Sequence, residues 1–224
     1  MREIEKSRST ETLPTLLTTE EGRNLIVELS AEFHRNGWMT GTGGALAIKT
    51  EKGILVTPSG VLKERQNKDD IFLISAEGEV LETPVKKLKI SSCLPNFLHI
   101  YRIRNSDTIY HLHSVNAVLV SLMEPGNIFR CKHLQMVKGM RGFGWEDTLE
   151  IPIVENRANE DDISENIKEA LDRQFKADCI LIRGHGLYTW GTSWIQAKVH
   201  AESLDWIFKV VLESKKLGIQ INCS

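Results

Sequence analysis

Apolar residues recur along this chain with two periods, which separates helices from strands. Thr18-Thr19-Glu20-Glu21 has the Ser/Thr-x-x-Glu form of a capping box. It predicts a helix that buries Leu25, Leu29 and Phe33 and stops at Gly37. Ala45 to Ile48 and Ile54 to Thr57 read as a hairpin around Glu51-Lys52-Gly53, followed by a tight turn at Thr57-Pro58-Ser59-Gly60. Ile71 to Ser75 is a further strand, turning through Glu77-Gly78-Glu79 into Val80-Leu81. Leu94-Pro95 suits the first turn of a helix reaching about Arg104.

The run from Asp107 to Tyr110 is rich in strand formers and leads into His111-Leu112-His113. A helix over Val115 to Met123 ends at Glu124-Pro125-Gly126, and His133 to Met140 reads as a short helix. Leu149 to Val154 is a strand that Pro152 marks as an edge or a strand end. Asp162 to Gln174 has helical periodicity, Cys179 to Arg183 and Leu187 to Trp190 are strands, and Ser193 to Leu217 is a long amphipathic helix closed by Gly218. Residues 1–17 read as a mobile tail and 18–224 as a single domain. The expected class is α/β, three layers α/β/α with a mostly antiparallel central sheet.

Composition narrows the function without fixing it. The chain has 224 residues, 41% of them apolar and 26% charged, with a net charge of −2. That balance leaves no electrostatic footprint for nucleic acid or for an anionic membrane. No apolar run approaches the roughly 18 residues of a membrane span, and the first 21 residues lack a signal-peptide core. Cys93, Cys131, Cys179 and Cys223 are widely spaced, which suggests neither a zinc knuckle nor a disulfide framework. A cytoplasmic chain with reduced thiols is the expectation.

The chemistry concentrates in Tyr110-His111-Leu112-His113-Ser114 and Gly184-His185-Gly186. In a strand His111 and His113 point to one face with Cα atoms about 7 Å apart, so both imidazoles reach one cation. His185, flanked by glycines that let a ligand approach, is the natural third ligand of a site with one open position. The other four histidines (His34, His99, His133 and His200) lack such pairing and read as packing, hydrogen-bonding or surface residues. The loop Trp38 to Gly44 offers backbone N–H groups to an anion, but taken alone it reads first as a plain helix-to-strand turn. Lys86-Lys87-Leu88-Lys89 is either a basic patch near an anionic substrate or a solvated edge.

Taken together, the motifs resemble the class II aldolase/adducin family across nearly the whole chain, and most closely its methylthioribulose-1-phosphate dehydratase branch. The carrying residues are 37–44 (GWMTGTGG), 58–65 (PSGVLKER), 86–89 (KKLK), 111–114 (HLHS), 136–139 (MVKG) and 183–191 (RGHGLYTWG). The resemblance implies one zinc ion per subunit held by His111, His113 and His185. It implies a small phosphorylated sugar as substrate, with the phosphate held by Thr42, Gly43 and Gly44, by Ser59 and Gly60, and by Ser91 and Ser92. It also implies a homotetramer with active sites at subunit interfaces. Animal members of the branch are linked to suppression of apoptosis through protein binding, so a protein partner is a further implication.

The implied reaction removes water from 5-methylthioribulose 1-phosphate, giving 2,3-diketo-5-methylthiopentyl 1-phosphate in methionine salvage. The sugar-phosphate aldolases of the family take their base from the Glu of Ser-Ser-Glu, where this chain, like the dehydratase branch, has Cys93, a substrate contact. The branch takes its catalytic Glu from His-x-Glu-Met, which here reads His133-Leu134-Gln135-Met136. Gln135 keeps the size of Glu but has no ionisable carboxylate. Three accounts stay open: an isosteric inactivating change, a degraded or repurposed member, or another base such as the Cys93 thiolate or a zinc-bound hydroxide. The competing functions are an aldolase acting on another sugar phosphate and a non-enzymatic scaffold of the same fold.

Overall fold

The computed structural model describes residues 16–173 and 175–223, so most of the expected tail lies outside the described residues. Leu17 forms an isolated bridge to Thr50 and accepts from Glu51 N at 3.1 Å. Thr18 caps α1 (Thr19–Arg35) as the pattern predicts: Glu21 N donates to Thr18 Oγ1 at 3.2 Å and Thr18 N donates to Glu21 Oε2 at 2.9 Å. At the other end Gly37 takes φ +75°, Gly37 N donates to the His34 carbonyl and Trp38 N to the Phe33 carbonyl. This paired closure reverses the chain into the glycine-rich loop.

The strands are β1 (Ala45–Thr50), β2 (Gly53–Val56), β3 (Pro58–Ser59), β4 (Phe72–Ile74), β5 (Val80–Glu82), β6 (Lys89–Ile90), β7 (Thr108–Leu112), β8 (Ile128–Cys131), β9 (Leu149–Val154), β10 (Cys179–Ile182) and β11 (Gly186–Gly191). The remaining helices are α2 (Leu94–Ile103), α3 (Val115–Met123), α4 (Glu160–Asp172) and α5 (Trp194–Lys216). Nine strands form one sheet in the order β5-β4-β2-β1-β7-β11-β10-β9-β8, antiparallel except for β9 with β10. The pair β3 and β6 stands apart and brings Ser59 opposite Lys89.

Alternation along the strands divides the core in two. Leu46, Ile48, Tyr110, Leu112 and Leu187 pack with α1, α3 and α5 on one face. Ala45, Ala47, Ile109, Tyr188 and Trp190 pack with α2 and α4 on the other, together with Cys93. The three expected layers are therefore present, with β7 and β11 central.

Three expectations need correction. The sequence reading has no strand over 128–131, yet β8 forms the sheet edge and pairs Ile128 with Pro152. β9 is consequently interior, and its proline is tolerated because the parallel pairing with β10 begins only beyond it, at Ile153 and Val154. Cys131 and Cys223, expected as free thiols, are joined as a disulfide across 92 residues. The C-terminal segment returns alongside β8, with Lys132 N donating to the Asn222 carbonyl at 2.8 Å, a proximity that spacing cannot reveal. Cys93 and Cys179 are buried and take no part in a disulfide. Among the described residues no helix is long and apolar enough to cross a membrane.

Candidate metal centre

His111 lies near the end of β7, and His113 follows just beyond it, held by its N–H donating to the Trp38 carbonyl at 2.8 Å. β11 pairs with β7 in a register that sets Tyr188 opposite His111, so the turn before β11 delivers His185 to the same place. That turn is clamped by Arg183, whose Nη1 donates to the carbonyls of Ser121 and Glu124 and whose Nε meets Glu155 Oε1 at 2.7 Å. Gly184 N donates to Ser121 Oγ at 3.0 Å. Gly186 is required because a Cβ there would collide with the Leu112 carbonyl oxygen.

The three rings converge through their Nε2 atoms. His113 Nε2 lies 3.0 Å from His111 Nε2 and 3.1 Å from His185 Nε2. The opposite nitrogens fix two of the tautomers. His111 Nδ1–H donates to the Leu187 carbonyl at 3.1 Å, and the ring stacks on Tyr188 at 4.2 Å. His185 Nδ1–H donates to Asn156 Oδ1 at 3.3 Å, and the same oxygen accepts from Arg157 N at 3.0 Å. Neutral rings anchored this way turn bare Nε2 lone pairs toward one another, an arrangement that a cation between them resolves. Burial and the neighbouring rings push His111 well below the usual histidine range, and burial first, then His185 and Lys63, brings His113 to about 4. Both stay neutral at physiological pH and so are ready to ligate.

The donor set fits a divalent ion. Tetrahedral coordination at about 2.1 Å separates ligand nitrogens by roughly 3.4 Å, close to what is seen, and three histidines leave one position open. Beside the triad lies a cleft of about 420 Å³, lined by His113, Asn156, Arg157, Asn159, Gly184 and His185.

The other anticipated residues divide. Gly43 packs directly on His113: a Cβ there would sit 2.5 Å from His113 Nδ1. Thr42 precedes it, exposed, and Gly44 follows at φ +76°. Lys63 Nζ donates to the Thr42 carbonyl at 3.0 Å and to the Val61 carbonyl at 3.2 Å, tying the glycine-rich loop to the segment after Ser59 and Gly60. Ser91 is buried and accepts from Cys93 N at 3.2 Å, while Ser92 is exposed. Cys93 shares the His111 face of the sheet. Gln135 is different. It is exposed at the start of a short 3-10 turn (Gln135–Gly139) whose Val137 packs with α5, on the face opposite His111. Ala45 and Ala47, which follow the loop on β1, are buried in the cluster that packs with α2.

Sequence reasoning missed Lys63 and Asn156 as site residues. Lys63 was in view inside a motif, but nothing in the sequence says its ammonium is enclosed. Asn156 has no signal at all. Lys86, by contrast, spends its charge on Asp70 at 2.8 Å, which favours the solvated-edge reading.

Comparison with known proteins gives the family of the chain. Residues 24–212 match the model of the "Class II Aldolase and Adducin N-terminal domain". Relatives named "Probable methylthioribulose-1-phosphate dehydratase" include one from Drosophila pseudoobscura pseudoobscura, 38% identical over 91% of this chain and 92% of its own length. Another, from Drosophila melanogaster, is 39% identical over 91% of this chain and 93% of its own length. Among solved structures, an L-fuculose 1-phosphate aldolase superimposes with a TM-score of 0.74 at 18% identity, over 89% of each chain, and so shows the shared fold. The chain belongs to the class II aldolase and adducin family, among relatives named for the dehydration of methylthioribulose 1-phosphate.

Proposed function

We propose that the chain holds one zinc ion at His111, His113 and His185 and dehydrates 5-methylthioribulose 1-phosphate to 2,3-diketo-5-methylthiopentyl 1-phosphate. The observation that carries this reading is the convergence of three Nε2 atoms, two of them on rings anchored through Nδ1, beside the glycine-rich loop whose Gly43 packs on His113. A zinc ion bound there supplies Lewis-acid polarisation of the substrate's C2 carbonyl. The chain's own residues do the rest. Thr42, Gly43, Gly44, Ser59, Gly60, Ser91 and Ser92 bind the phosphate through N–H and hydroxyl donors. The cleft under Asn156 and Arg157 receives the remainder of the sugar. Water leaves as the C3 proton and the C4 hydroxyl, and the enol that remains tautomerises to the diketone.

Gln135 positions substrate but accepts no proton, so the base is another group, and Cys93 lies on the triad's face to supply it. The site is completed between copies of the chain, in a homotetramer. Two observations support that reading: Gln135 sits on the sheet face away from its own triad, and α3 exposes Val115, Leu119 and Leu122 next to the Gly184 turn. Turnover of 5-methylthioribulose 1-phosphate by the zinc-loaded chain and by Gln135→Glu tests the proposal. A carboxylate at this position is expected to raise turnover by about 10²–10⁴-fold, the usual contribution of a placed acid–base group. Absence of turnover in both, with zinc and substrate bound, would remove the dehydratase reading.

A further inference from the structure

Lys63 is an enclosed cation with no salt-bridge partner among the described residues. Its residue is 1% exposed, and its ammonium donates to two carbonyl oxygens. Glu64, the nearest carboxylate in sequence, turns instead toward His34 at 3.7 Å. An ammonium taken out of water is costly unless an opposite charge meets it, and two carbonyl dipoles offset only part of that. Burial accordingly lowers the Lys63 pKa, while the neighbouring Cys93 and Glu64 oppose the shift.

The position of the ammonium gives the imbalance a use. Lys63 grips Thr42, the residue before the Gly43 that packs on His113, and it lies within electrostatic reach of Cys93. It therefore stands where the 42–44 loop, the 59–63 segment and the start of α2 meet, beside the metal ligands. A lysine kept there with no carboxylate in salt-bridge contact is poised for an anion that arrives from outside.

We infer that Lys63 is a specificity-determining residue: its buried ammonium is the fixed counter-charge for the phosphate group of the substrate, and its bond to the Thr42 carbonyl sets the loop to receive that group. The inference rests on the phosphorylated-sugar reading above and adds to it the residue that makes a dianion preferable to a neutral sugar.

The test uses inorganic phosphate as the probe on the zinc-loaded, full-length chain, with Lys63→Met and Lys63→Gln as variants. Phosphate affinity is read by calorimetry, and the unliganded melting temperature and zinc content are recorded in parallel. Each variant is expected to bind phosphate at least tenfold more weakly, with zinc content unchanged. Removing an uncompensated buried charge should leave the melting temperature of Lys63→Met equal to or above that of the parent. A merely structural lysine predicts the reverse, a lower melting temperature with phosphate affinity retained, and that result overturns the inference. Should neither variant fold, [15N]lysine spectra of the parent chain serve instead. The enclosed, slowly exchanging ammonium resonance must shift on adding phosphate, and no shift at saturation overturns the inference. If the parent turns over 5-methylthioribulose 1-phosphate while the variants bind phosphate as well as it does, only the Lys63 role fails. If the parent binds zinc but neither phosphate nor that substrate, both readings fail.

Discussion

Gly43→Ala probes the metal centre without touching a ligand. A methyl group at this position would lie 2.5 Å from His113 Nδ1 and 2.9 Å from its Cε1, against 3.4–4 Å for ordinary contact. The His113 ring must therefore retreat by about 1 Å, which misaligns its Nε2 with those of His111 and His185. The Thr40 carbonyl at 3.2 Å blocks relief on the other side. Displacing a ligand through its supporting contacts typically costs 10–100-fold in metal affinity, or about 1.4–2.7 kcal/mol. Competition with a chromophoric chelator measures this directly. Gly41→Ala is the matched control: Gly41 has nothing within 4 Å but sits at φ +61°. There alanine should cost about 1 kcal/mol of stability and a few degrees in melting temperature, with zinc affinity unchanged. Equal zinc affinity in Gly43→Ala and the parent would refute the packing of the loop on His113 as a determinant of the site.

Asn156→Ala removes the acceptor that holds the His185 tautomer, and chelator competition should show a loss of about tenfold in zinc affinity with little change in the melt. Leu122→Asp places a charge on the exposed edge of α3 beside the Gly184 turn and is expected to shift sedimentation toward the single chain while lowering turnover. For the metal-free chain, His111, His113 and His200 are all held below the ordinary histidine value by burial, so the folded state takes up fewer protons than the unfolded one. Their stabilisation is complete above pH 6.5 and is lost as pH falls. Each histidine contributes a slope of up to about 1.4 kcal/mol per pH unit, and that of His113 levels off near pH 4. Urea titrations of the metal-free chain at pH 7, 6 and 5 check this, and a constant midpoint contradicts it.

Much of the fold was legible because local chemistry and burial agree. The Thr18–Glu21 box, the Gly37 stop, the hairpin at Gly53 and the period of α5 each announce themselves within a few residues. The convergence of the three histidines was legible for the same reason, since His-x-His on a strand and His between glycines constrain geometry locally. What was hidden depends on distant partners. β8 is too short to carry a pattern of its own, and Pro152 reads as an edge until that strand covers it. The Cys131–Cys223 pairing arises only when the chain end returns to β8. Lys63 looks like any surface lysine until the 42–44 loop closes over it, and Asn156 matters only through the ring of His185.

The central claim is that three distant imidazoles share one ion, and the metal content of the purified chain tests it most directly. The account predicts one divalent ion per chain in the parent and none in His113→Ala, with the variant still folded. A parent free of bound metal after exposure to zinc, or a His113→Ala chain that retains its full complement, would contradict it.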